Sequence, residues 1–178
     1  MNPPSSQHGF TLVEAGITLA VAALLVGAVA PTFQRAIERR HVEGIAAQLE
    51  TDLQLARSLA VARNEDVRVS FDDGGGAACY VLHTGSAGDC RCTGGDGPAV
   101  CGNGAQELRT ARIGAATRVQ LHSNSRSMLF DPAKGTVTPT ATIQVVGQSG
   151  AGLNQVINIM GRVRTCSPAG ALPGYRRC

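Results

Sequence analysis

The chain lacks tryptophan and carries only six aromatic side chains in 178 residues (Phe10, Phe33, Phe71, Phe130, Tyr80 and Tyr175). Its core must therefore be built from Val, Leu, Ile and Ala, and stacked aromatic platforms for single-stranded nucleic acid are all but excluded. Lysine is nearly missing as well. Lys134 is the one lysine among 16 cationic side chains, and the arginines that replace it fork onto phosphate or carboxylate. No cysteine precedes Cys79, and no pair has the C-x2-C spacing of a zinc site, the only close pair being Cys90-Arg91-Cys92. The first nine residues, MNPPSSQHG, hold no Lys or Arg, which argues against the basic opening of a cleaved secretory signal. A chain of this length supports one ordinary domain with an accessory segment, which argues against a multidomain enzyme.

The six cysteines present, Cys79, Cys90, Cys92, Cys101, Cys166 and Cys178, lie in segments rich in Gly, Ser, Thr and Asp. That distribution points to disulfides formed in an oxidising compartment, with no metal site and no cofactor. Cys79, Cys90, Cys92 and Cys101 staple the Gly-rich stretch 85–104 in a pairing the sequence leaves open. A bond between Cys166 and Cys178 would close the tail into a short loop, a constraint worth about 3 kcal/mol. The net charge of +3 hides an asymmetry: from residue 105 onward nine basic side chains face two acids, Glu107 and Asp131.

Phe10 to Ala30 form an apolar run in which Glu14 is the only charge. About 20 apolar residues at ~1.5 Å each cross a bilayer as a helix. A carboxylate within such a run is costly unless partnered. Gly9-Phe10-Thr11-Leu12-Val13-Glu14, the apolar stretch and Pro31 together resemble the class III signal and N-terminal helix of type IV pilins and pseudopilins. The resemblance implies cleavage between Gly9 and Phe10 by a prepilin peptidase, N-methylation of Phe10, storage in the inner membrane, and docking into a filament through Glu14. Pro31 corresponds to the family's helix-kinking proline. The implied organisation is a leader (1–9), a membrane and filament-core half-helix (10–35) and a periplasmic globular domain (36–178). Arg35, Arg39 and Arg40 after the apolar run would by themselves place the C-terminal side in the cytoplasm, but the cysteines and the leader motif outweigh that count.

Beyond Pro31, apolar residues at Ile37, Val42, Ile45, Leu49, Leu53, Ala56, Leu59 and Ala60 recur at helical spacing, extending the helix to about Asn64. Its exposed face mixes Arg with Asp and Glu and reads as solvated surface. The period then falls to two. Strands are expected at 67–71, 79–83, 118–122, 127–130, 135–138, 142–146 and 155–164, with 85–104 an irregular loop. A helix followed by strands gives an α+β class: a long helix packed on an antiparallel β-sheet domain.

The ending INIMGRVR resembles the FimT/GspH family of minor pilins and pseudopilins, and Gly161-Arg162-Val163-Arg164 matches the Gly-Arg-x-Arg motif of its DNA-binding FimT branch. On one strand, Arg162 and Arg164 would share a face, and Gly161 would allow close backbone approach. With Arg176 and Arg177 they form an acid-free cationic end suited to the phosphate backbone of duplex DNA, without base readout. The resemblance implies DNA capture in natural transformation, with other pilins and the pilus assembly machinery as partners. The bland reading leaves these arginines as solvated positions or partners of Asp131 and Glu107. The competing function is a structural minor pilin or a type II secretion pseudopilin that primes assembly. No catalytic constellation accompanies His8, His41, His83 or His122, so the chain is not read as an enzyme.

Overall fold

A helix that is apolar on all sides in its first half and amphipathic in its second serves two environments. The computed structural model describes residues 11–72, 78–93 and 97–178, in two units, 1–37 and 38–178. Gly9 and Phe10 lie outside the described residues.

In the first unit, α1 (Leu12–Arg63) begins with a reciprocal cap. The Glu14 N–H donates to Thr11 Oγ1 at 3.2 Å, and the Thr11 N–H donates to Glu14 Oε2 at 3.5 Å. Thr11-Leu12-Val13-Glu14 is thus a capping box, which satisfies two otherwise orphaned donors. Leu12, Val13, Ile17, Leu19, Leu24 and Leu25 are all exposed. The helix is long and apolar enough to cross a membrane.

In the second unit the helix buries Val42, Ala46, Leu49, Leu53, Ala56 and Ala60, a stripe at intervals of four and three. Ile45 and Leu59 flank it half-buried. Two antiparallel sheets share this core. The first holds β1 (Val67–Asp72), β2 (Cys79–His83), β5 (Glu107–Arg112), β7 (Ser127–Asp131) and β8 (Thr136–Thr138) in the order β5-β2-β1-β7-β8. The second holds β6 (Val119–Ser123), β9 (Ala141–Gly147), β10 (Gly152–Ile157) and β11 (Val163–Cys166) in the order β11-β10-β9-β6. The α+β class expected from the sequence is the one observed, with two sheets in place of one.

Strand β2 explains the cysteine-rich loop. Every residue from Cys79 to His83 is buried, yet a strand with one face in the core should alternate. Tyr80 and Leu82 enter the main core, while Cys79 and Val81 form a second cluster with Cys90. Disulfides Cys79–Cys92 and Cys90–Cys101 hold the loop over that outer face. The loop is not wholly irregular: β3 (Cys90–Arg91) pairs with β4 (Val100–Cys101) as a small ribbon.

The expected strand 155–164 is also corrected. β10 ends at Ile157, and the chain turns through residues 158–162 before β11 returns antiparallel to it. Asn158 directs the reversal: its Oδ1 accepts the Arg162 N–H at 2.9 Å and its carbonyl accepts the Gly161 N–H at 2.9 Å. Gly161 adopts φ +70°, a conformation that suits glycine. The strand expected from 118 starts at 119, because Arg118 closes a 3-10 turn with φ 55°.

Candidate nucleic-acid interface

The cationic C-terminal end is organised by β11, an edge strand of the second sheet. Arg162 stands in the turn just before it and Arg164 lies within it, both exposed, with Val163 half-buried between them. The two therefore still sit outward on either side of Val163, but not by the regular geometry of one strand. Gly161 is buried rather than open to a ligand: a Cβ there would meet Val137 Cγ2 at 3.1 Å and Arg57 Cδ at 3.5 Å. Its contribution is to let the turn form and to leave room for those neighbours.

Beyond β11 the tail folds back. Cys166 is bonded to Cys178, the Ser167 N–H donates to the Arg176 carbonyl at 2.8 Å, and Ser167 forms a parallel bridge with Arg177. Buried Ser167 also accepts the Leu172 N–H at 3.1 Å, and Leu172 itself enters the core. Arg39 on α1 donates to the Pro173 carbonyl at 2.9 Å. The Arg177 side chain lies against Gly170, where a Cβ would approach its Nε to 3.1 Å. The tail is thus an anchored loop that holds Arg176 and Arg177 against the end of β11.

The strand is pinned from beneath. Buried Gln155 on β10 donates through Nε2 to the Ala46 carbonyl at 3.0 Å, and the Thr165 hydroxyl on β11 stands 2.9 Å from Gln155 Oε1 and 3.0 Å from Glu50 Oε2. These bonds tie the edge strand to α1.

The two acids that could have neutralised the arginines are occupied elsewhere. Asp131 pairs with Lys134 at 3.1 Å. Hydrogen bonds from the Lys134 backbone and ammonium, with a further bond from the Ala133 N–H, hold its carboxyl below the usual range. Glu107 accepts from the Ala99 N–H at 3.1 Å and the Thr110 hydroxyl at 2.6 Å. Among the described residues Arg162, Arg164 and Arg176 make no ion pair. Sequence reasoning passed over Arg57, an exposed helix residue beside Gly161 that likewise has no ion pair. A signal was there to read: the residues three and four away on α1 are Leu53, Gln54, Ala60 and Val61, none of them acidic.

The family model described as "Type II transport protein GspH" matches residues 46–161. The chain belongs to the GspH family. The match ends at Gly161 and does not include Arg162, Arg164, Arg176 or Arg177. Among curated proteins, the competence protein ComGD of Bacillus subtilis (strain 168) is 31% identical over 67 residues, 38% of this chain and 47% of that protein. The GspH-family chain thus spans about half the length of that relative. Two crystal structures of the type IV minor pilin FimU of Pseudomonas aeruginosa (strain PAO1) share its fold. One gives a TM-score of 0.55 at 18% identity, covering 76% of this chain and 98% of FimU. The other gives 0.51 at 17% identity over 74% and 100%.

Proposed function

We propose that this GspH-family chain is a minor pilin that captures duplex DNA on its C-terminal arginines during natural transformation. The observation that carries the reading is the anchored end of β11, around which Arg162 in the preceding turn, Arg164 in the strand and Arg176 in the tail stay exposed and, among the described residues, without ion pairs, while Asp131 and Glu107 are bound elsewhere. Arginine presented outward from a rigid strand forks onto phosphate oxygens. The described arginines stand on a turn, an edge strand and a tail rather than on a recognition helix, so binding is directed at the backbone and indifferent to sequence. The competence role named for ComGD supports the same direction.

In this reading residues 1–9 are a leader cut between Gly9 and Phe10 by a prepilin peptidase, Phe10 is N-methylated, and residues 10–35 anchor the chain in the inner membrane before entering the filament. Residues 36–178 then face the periplasm, where the disulfides form. Glu14 caps its own helix in the free chain and docks against a neighbouring subunit in the filament. One finding favours a second reading. The family description names type II transport, which fits a pseudopilin that primes assembly without touching DNA.

Titration of the full chain in detergent, disulfides intact, against two duplexes of unrelated sequence separates the two. DNA capture predicts equal binding to both, with Arg162, Arg164 and Arg176 contributing about −2.7 to the slope of log K against log salt. A fourfold rise in salt then weakens that contribution by roughly 40-fold. A flat salt response, or no binding at low salt, returns the chain to an assembly role.

A further inference from the structure

We infer that the DNA site continues past the strand edge onto α1, with Arg57 supplying a further phosphate contact across a groove between the helix and the 158–162 turn. The inference rests on the DNA reading above. The groove measures about 620 Å³, and its lining includes Gln54, Arg57 and Ser58 on the helix side and Gly161, Arg162 and Val163 on the other.

Three observations give this groove a polyanionic occupant. Its lining holds two arginines, one from each wall, and no acid. Neither arginine is neutralised: among the described residues Arg57 and Arg162 form no ion pair, and no acid stands three or four positions from Arg57 on the helix. The groove is also continuous with the proposed interface, because Arg162 is at once its wall and the first residue of the row that runs through Arg164 to the tail. A phosphodiester backbone following β11 passes into the groove at its end.

The groove assigns a different reason to the glycine of Gly-Arg-x-Arg. Arg57 Cδ lies 3.5 Å and its Nε 3.8 Å from where a Cβ at position 161 would stand. Any side chain there would crowd the Arg57 stem and Val137, and would be strained at φ +70°. Glycine thus lets the turn that carries Arg162 close against the Arg57 stem.

The turn that forms one wall is held rigidly. The Val137 N–H donates to the Ile159 carbonyl at 2.7 Å, and the Asn158 N–H donates to the Arg162 carbonyl at 3.2 Å. A guanidinium mounted on a fixed turn loses less freedom on meeting a phosphate than one on a mobile loop.

The test is a salt-resolved titration of duplex DNA by the full chain in detergent, comparing wild type with Arg57→Ala, Arg57→Lys, Arg126→Ala and Arg162→Ala/Arg164→Ala. Arg126 is an exposed arginine that does not line the groove. The inference predicts that Arg57→Ala flattens the salt slope by about 0.9 and weakens binding roughly tenfold at low salt, while Arg57→Lys keeps the slope. Arg126→Ala leaves both unchanged. If Arg57→Ala binds like wild type or like Arg126→Ala while Arg162→Ala/Arg164→Ala loses binding, the groove is wrong and the strand-edge reading stands. If wild type itself fails to bind, both fall.

Discussion

Arg109 and Arg164 sit on strands of the same unit and meet opposite fates. Arg109 on β5 reaches the α1 residue Asp52, with Nε 2.8 Å from Oδ1, in a close ion pair whose angle is not that of an aligned hydrogen bond. Asp52 is 1% exposed, and its other oxygen accepts the Tyr80 hydroxyl at 2.7 Å. Burial, then the Asp52 contact, drives the Tyr80 hydroxyl far above its ordinary pKa, so it stays a donor at every working pH. Arg164, on the edge of the other sheet, is exposed and has no such partner. Arg109 is held by the fold where a buried carboxylate faces it, whereas Arg164 stays exposed and, among the described residues, makes no ion pair.

The comparison can be broken from either side. Replacing both Cys166 and Cys178 by Ser removes the clamp on the cationic tail and should lower stability by about 3 kcal/mol in urea unfolding under non-reducing conditions. Asp52→Ala attacks the paired side. It leaves the Tyr80 hydroxyl buried without its acceptor and should cost about 2–3 kcal/mol, with DNA affinity unchanged under conditions where the variant is folded.

Acidification is expected to act through His83. This ring is fully buried, with Nδ1 2.8 Å from the Thr84 carbonyl and Nε2 2.8 Å from Ser70 Oγ. A carbonyl only accepts, so Nδ1 carries the proton and the neutral Nε2 accepts from Ser70. Desolvation by burial lowers its pKa, against the Thr84 bond and Asp89, which raise it, and with Arg68 adding to the lowering. The unfolded chain therefore binds this proton more readily than the native one. Stability contributed by the neutral ring is full above the ordinary histidine value near 6.5 and is lost as pH falls from there through the lowered native pKa. Urea midpoints measured across that window should fall with pH in wild type, and the histidine component of the fall should vanish in His83→Gln. The smallest effect is expected at the available side: Arg162→Ala/Arg164→Ala should move stability by no more than about 0.5 kcal/mol, which thermal unfolding can check.

The elements that could be read from sequence are those where burial follows a simple period. The stripe on α1 and the alternation in β6, β7 and β9 are such cases, because one face meets the core and the other meets water. β5 escaped notice because Ala111 is its only buried residue, so ELRTAR carries almost no apolar signal. β2 showed its strand character but not its second covered face, which depends on which cysteines pair. The end of β10 was hidden by an apolar run. Ile157 is in the core, whereas Ile159 and Met160 continue the pattern while being 56% and 52% exposed at the turn. Asn158 and Gly161 held the turn chemistry that would have split the strand. The C-terminal arginines were legible as a charge excess, but that Arg162, Arg164 and Arg176 make no ion pair among the described residues was not, since it depends on where Asp131 and Glu107 find their partners. Arg57 lay far from them in sequence and is brought beside them only by the fold.

Arg162 and Arg164, at the start of β11, are proposed to form a phosphate-binding edge. The most direct test of this proposal is the salt slope of duplex binding by the full chain, with and without Arg162→Ala/Arg164→Ala. The account predicts that the double variant keeps its fold and loses about 1.8 of the slope together with most of the low-salt affinity, equally for two unrelated sequences. An unchanged slope, or a preference for one sequence that the variant retains, would contradict it.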